Sequence, residues 1–170
     1  MSVLIPSWKN SPKNSPHRVA SKQCVQSSKK NGVVGFFLAA SGDRKSRFSP
    51  EKLIHELEKG LPFVELEVLR ATLDTSMELL AQRVGISRPT LHRRRAQGRL
   101  TSDESDRLVR FARLMGMAVQ ALGTTQHART WLATPQHGLG GAIPLDYART
   151  EVGAREVEDL LGRIEYGVYS

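Results

Sequence analysis

Between Thr101 and Gly123 the chain places Leu108, Phe111, Ala112, Met115, Val119 and Leu122 at steps of three and four residues, the spacing that lines one side of an α-helix. Thr101 followed by Glu104 has the form of a capping box, and Gly123 supplies a stop. Arg107, Arg110 and Arg113 fall off the apolar stripe. A stripe of this length cannot be covered by solvent, so the remaining apolar segments must pack on it. Those segments also carry a helical period. Ser49-Pro50 starts one helix, with Leu53, Ile54 and Leu57 on a face and Gly60 closing it. A second begins at Pro62 and carries Val64, Leu66, Val68, Leu69 and Leu73. Downstream, a short helix is predicted from Gln126 to Ala133, then a Pro/Gly loop from Thr134 to Gly141. A last helix follows from Glu151 to Tyr166, with Val152, Val157, Leu160, Leu161 and Ile164 inward. No segment alternates with period two, so the expected fold class is all-α.

The stretch Met77 to Gln97 reads MELLAQRVGISRPTLHRRRAQ. A helix-turn-helix needs small or apolar residues where two helices cross, a residue tolerant of left-handed backbone at the turn, and a polar outer face on the second helix. Leu80, Ala81 and Val84 supply the first requirement, Gly85 the second, and Ile86 and Leu91 plug and anchor the pair. Ser87 is placed to cap the second helix, whose solvent face then presents Arg88, Thr90, His92 and Arg93, with Arg94, Arg95 and Arg99 nearby. No acidic residue occurs from Leu79 to Ser102. Arginine pairs bidentately with guanine edges and also binds phosphate, and Ser87 and Thr90 sit where a helix start favours anions. The candidate DNA-binding residues are therefore Ser87, Arg88, Thr90, His92, Arg93, Arg95 and Arg99. Arg94 stands where such motifs often carry an aliphatic residue, which leaves Leu100 to supply the anchor.

The formal net charge of +8 is unevenly distributed. Residues 1–48 hold nine Lys/Arg against the single acid Asp43, whereas the rest of the chain is balanced. The Ser-Pro and Lys-Asn themes of residues 1–30 have no apolar period and cannot offset the entropy of ordering, so 1–48 is expected to be a flexible basic arm able to follow phosphates. Aromatic residues make up only 6% of the chain, so a core must come from aliphatic side chains. Cys24 is the only cysteine, which excludes an intramolecular disulfide and a thiolate cluster and suits a reducing compartment. No run approaches the roughly 20 apolar residues of a membrane span. The apolar run Val33 to Ala40 after Lys29-Lys30 lies too far from Met1 for a signal peptide. A cytoplasmic location without membrane contact is the expectation.

The C-terminal third sets a compact loop, Leu139-Gly140-Gly141-Ala142-Ile143-Pro144, between helices, and ends Arg163-Ile164-Glu165-Tyr166-Gly167-Val168-Tyr169-Ser170, too apolar for a free tail. Ala128 with Trp131-Leu132, Pro135, Leu139-Gly140-Gly141, Pro144-Leu145-Asp146, Thr150-Glu151, Gly153-Ala154, and Val157 to Gly167 resemble the toxin-binding domain of Xre/MbcA/ParS antitoxins. Thr90-Leu91, Arg93-Arg94, Gly98-Arg99-Leu100, Glu104-Ser105 and Arg107-Leu108 resemble the Xre-type helix-turn-helix that precedes it. The match covers about residues 50–170. It implies a helix-turn-helix domain at 49–123 and a toxin-binding domain at 124–170. It also implies an antitoxin that dimerises, represses its own operon, and covers the active-site entrance of a RES-domain toxin that degrades NAD or transfers ADP-ribose from it. Carried over by position, the toxin-binding residues are Leu139, Gly140, Gly141, Arg163, Tyr166, Gly167, Tyr169 and Ser170. Gln136 stands where the family usually has Asn.

The residues do not point to an enzyme. The five histidines lack metal-ligand spacing, and there is no phosphate-cradling loop or nucleophile elbow. Asp103, Glu104 and Asp106 sit at a helix start, where the dipole favours them. A binder without cofactor or metal is expected, either an antitoxin as above, a stand-alone transcription regulator, or a scaffold for another protein.

Overall fold

The computed structural model describes residues 32–38 and 50–167. Among these the chain is helical: α1 (Val33–Leu38), α2 (Pro50–Lys59), α3 (Phe63–Leu73), α4 (Met77–Val84), α5 (Arg88–Gln97), α6 (Ser102–Leu122), α7 (Thr125–Ala133), a 3-10 turn (His137–Leu139), α8 (Pro144–Tyr147) and α9 (Glu151–Glu165). Only two isolated β-bridges occur among the described residues, Pro62 with Arg99 and Gln136 with Ala142.

The spine is α6. Its capping box is formed on both sides, with the Thr101 hydroxyl accepting from the Glu104 amide at 3.4 Å and the Glu104 carboxylate accepting from the Thr101 amide at 2.8 Å. Leu108, Phe111, Ala112, Leu114, Met115 and Ala118 are buried along it. α7 covers it with Ala128 and Leu132, and α9 with Ala154, Val157 and Leu161. Truncating any of these large side chains leaves a cavity and costs about 2–5 kcal/mol.

The inner stripe of α9 is Gly153, Ala154, Val157 and Leu161, and Val152, expected to face inward, is 74% exposed. Val152 lies about 140° around the helix from Val157 at 100° per residue, so the position overrides its apolar character. Ile54 is likewise exposed, because α2 meets α6 only through the side carrying Leu53 and Leu57.

Within the stretch expected to be an arm, residues 33–38 form α1, which packs on α6 and α3. Val33 is buried, and α6 offers Gly116 at the crossing, where a Cβ would overlap the Phe37 carbonyl oxygen. Apart from Gly32, the rest of 1–49 lies outside the described residues.

Polar contacts stitch the sequence-distant parts together. Leu61 donates to the buried Ser105 hydroxyl at 2.8 Å, while Phe63 donates to Gly98 and Leu100 to Leu61 at 2.8 and 2.9 Å, fixing the α2–α3 link against the end of α5. Arg129 on α7 donates to the Thr72 and Ala71 carbonyls at the end of α3, where the helix dipole favours a cation. Arg110 and Arg113 on α6 pair with Glu151 and Glu158 on α9.

Candidate functional site

α4 and α5 are joined by a tight turn. The Ser76 hydroxyl caps α4 by accepting from Leu79, and Gly85 closes it with φ 78°. Gly85 donates to Gln82 at 3.0 Å and Ile86 donates to Ala81 at 2.7 Å, the paired bonds of a Schellman motif. Ile86 is buried in the angle, and Ser87 caps α5 by accepting from the Thr90 amide at 3.4 Å. The Ser87 hydroxyl also donates to the Thr90 hydroxyl at 2.9 Å, so these two candidate residues orient each other.

Leu91 is the single buried residue of α5. The other inward position is Arg94, whose Nε donates to both Glu104 oxygens, at 3.0 and 2.7 Å, and whose Nη1 donates to Gln97 at 2.9 Å. The two charged side chains are only 15% and 8% exposed, and Leu100 is buried beside them. An ion pair thus occupies the position at which an aliphatic anchor is common. Burial pushes the Glu104 carboxyl up, but the Thr101 amide and the Arg94 guanidinium outweigh it and hold the group below its ordinary value.

The candidate DNA-binding residues divide into two sets. Ser87, Arg88, Thr90, His92 and Arg93 lie along the start and outer side of α5. Arg88, His92 and Arg93 are exposed and have no hydrogen-bond or ion-pair partner among the described residues. Arg95 and Arg99 are engaged elsewhere. Arg95 reaches Glu67 at 3.3 Å and stands over the Phe63 ring at 5.8 Å, and Arg99 donates to the Gly60 carbonyl at 2.6 Å.

In the C-terminal part, the 3-10 turn leads into Gly140 and Gly141, with φ 64° and 83°. Neither has a neighbour within 4 Å of where a Cβ would stand, so their need for glycine is conformational. Leu139 is buried and anchors the loop from below. Gln136 holds the loop by backbone bonds with Ala142 and Gly141, and its side-chain amide donates to the Trp131 carbonyl at 2.9 Å, closing α7. Gly138 rests on Leu160 of α9, one turn before Arg163. Exposed Gly140, Gly141, Arg163, Gly167 and the 81% exposed Tyr166 are therefore presented around the loop and the end of α9. Tyr169 and Ser170 lie outside the described residues.

Sequence reasoning missed the ties between the two parts. Arg83 of α4 pairs with Asp146 of α8 at 2.8 Å, and a cleft of about 560 Å³ opens beside that pair. The partners are 63 residues apart, and no local pattern connects them. No described helix is long and apolar enough to cross a membrane.

The architecture is that of a helix-turn-helix protein with a second helical unit folded onto its long helix. Residues 52–113 match the family described as the antitoxin Xre-like helix-turn-helix domain, and residues 117–167 match the antitoxin Xre/MbcA/ParS C-terminal toxin-binding domain. The chain is 34% identical to an Antitoxin Xre of Photorhabdus laumondii over 67% of its own length and 78% of the relative's. It is 44% identical to an Antitoxin Xre of Yersinia enterocolitica over 61% of its own length, and the match spans 64% of that relative. A protein of Sphingobium sp. named Prs ADP-ribosylating antitoxin is 25% identical over 73% of the chain and 84% of the relative. The chain belongs to the Xre antitoxin family.

Proposed function

We propose that this protein is the antitoxin of a two-gene toxin–antitoxin system, which binds and neutralises a RES-domain toxin acting on NAD and represses its own operon as a homodimer in the cytoplasm. The observation that carries the reading is the placement of two unlike surfaces on one helical body. One is the outer side of α5, where Arg88, His92 and Arg93 present uncommitted donors behind the Ser87–Thr90 start. The other is the glycine loop and helix end, where Gly140, Gly141, Arg163, Tyr166 and Gly167 are exposed over a buried Leu139.

α5 enters the major groove, with Arg88 and Arg93 at base edges and Ser87 and Thr90 at phosphates. Arg95 and Arg99 support the helix and reach the backbone only at its margin. The toxin is held by the loop and by the tail through Tyr169 and Ser170. An exposed tyrosine such as Tyr166 supplies the large amphipathic contact that dominates many interfaces. The divisions proposed are an arm at 1–48, a DNA-binding domain at 49–123 and a toxin-binding domain at 124–170. The name of the Sphingobium relative, which joins ADP-ribosylation to an antitoxin, supports a toxin of this chemistry.

Co-expression with the adjacent reading frame is the test. Deleting Gly167 to Ser170 is expected to release growth arrest by the toxin while leaving the gel shift of the promoter unchanged. Full protection by the truncated protein would remove the tail from the interface. Failure to co-purify with any neighbouring gene product, with promoter binding intact, would leave a stand-alone regulator instead.

A further inference from the structure

Gly85 sits between two openings. On one side lies the groove between α4 and α5, about 380 Å³ and lined by Gln82, Ser87 and Arg88 among others. On the other lies the cleft of about 560 Å³ between the turn and the C-terminal half, lined by Arg83, Arg107, Asp146, Tyr147 and Arg149 as well as Gly85.

The charges of that cleft are unequal. Arg83 and Asp146 neutralise each other at 2.8 Å. Arg107 is steered by its Nε, which donates to the Asp103 carbonyl at 3.0 Å, and its terminal nitrogens have no partner among the described residues. One of them, Nη1, lies 2.6 Å from where a Gly85 Cβ would stand, so the missing side chain lets the guanidinium lie over the turn. Arg149 is exposed, and only its backbone carbonyl is engaged, by Arg110. Beside Arg149 in the chain, Glu151 is held by Arg110 and Arg113, and beside Arg107 neither Asp103 nor Asp106 forms an ion pair with it. Two guanidinium groups therefore remain without a direct ion-pair partner among the described residues, one from each half of the molecule.

We propose that this cleft is a phosphate-binding site, occupied by a phosphodiester of the DNA strand that borders the groove entered by α5. The proposal rests on the DNA-binding reading above and adds that the C-terminal half takes part in gripping DNA through Arg149. The major groove is roughly 12 Å wide, so a helix lying in it has a phosphate strand close on each side. The cleft opens at the very turn that starts the helix and shares Gly85 with the groove beside it. Two arginines converging there offer bidentate donors to one phosphate, with Arg107 already oriented by Asp103. Contacts of this kind fix register and carry no sequence information.

The test is the salt dependence of binding by the full chain, measured on its own promoter and on a random duplex of the same length. Each phosphate contact contributes about 0.9 to the slope of log affinity against log salt. Arg107→Gln with Arg149→Gln is expected to reduce the slope by about 1, the share of the single phosphate they hold, and to weaken both duplexes by the same factor. Arg149→Gln alone, at an exposed position, should give part of that reduction, on the order of half, with an unchanged Tm, and Arg149→Lys should restore it. An unaltered slope in Arg149→Gln, with wild-type binding intact, overturns the cleft proposal and leaves the reading of α5 standing. Absence of promoter binding by the wild type overturns both.

Discussion

Arginine lines two helices of this protein, and the two sets behave differently. On α6, Arg110 and Arg113 reach across to Glu151 and Glu158 on α9 and hold one helix against another. On the outer side of α5, Arg88 and Arg93 have no carboxylate to meet among the described residues, and Arg94 alone turns inward to Glu104. The difference teaches that the count of cations on a helix says little about its role. What matters is whether the facing element offers an acid. Where it does, the charge is part of the architecture, and where it does not, the charge is left for an external anion.

Arg94 gives the largest expected effect. Breaking one side of a largely buried pair leaves the other charge uncompensated, so Arg94→Ala should cost about 3 kcal/mol, at the low end for such pairs because some of the guanidinium is exposed. That corresponds to a fall of about 10 °C in Tm for a chain of this size. The wild type should show the same weakness in acid. Because folding lowers the Glu104 pKa, the pair contributes stability above the ordinary carboxylate range and loses it as pH falls through the folded value. An Arg94→Ala protein that melts like the wild type would erase the distinction between inward and outward cations on α5.

The capping box of α6, the Gly85 turn, the Ser87 cap and the Leu91 anchor were all legible in the sequence, because each depends on residues within a few positions of one another. The role of Arg94 was not. Its partner belongs to the cap of the next helix, so only the crossing of α5 and α6 shows that Glu104 serves both. The tie made by Arg99 was hidden for the same reason, since its acceptor is the Gly60 carbonyl 39 residues earlier. Val152 and Ile54 show the complementary failure, in which an apolar residue at a solvent-facing angle was assigned to the core by composition. Of the two surfaces, the identity of the α5 residues followed from local pattern, whereas the glycine loop and helix end came from family resemblance, and their adjacency emerged only from the packing of Gly138 on Leu160.

The outer arginines come next in magnitude. Arg88→Ala or Arg93→Ala should each weaken promoter binding by about 1–3 kcal/mol if the side chain meets a base edge, with Tm unchanged because neither holds the fold together. The two readouts separate the sets cleanly. A variant that loses stability and DNA binding in parallel has its arginine on the wrong side of the comparison. A gel shift at matched salt, with a mismatched promoter alongside, identifies which of the two reads sequence.

The smallest effect is expected at the α6–α9 seam, and it is the sharpest test of the comparison. Arg113 and Glu158 meet at 2.6 Å, but their side chains are 39% and 21% exposed, so water screens the pair and competes for its donors. Pairs of this kind contribute about 0.2–1 kcal/mol. A double-mutant cycle with Arg113→Ala and Glu158→Ala, read by chemical denaturation, should return a coupling in that range that shrinks as salt is raised. The apolar stripe of Ala154, Val157 and Leu161 then carries the attachment of α9, with the ion pairs setting its register. A coupling as large as the Arg94 effect would mean that the seam is held by charge, and the two halves of the molecule would be expected to come apart with added salt.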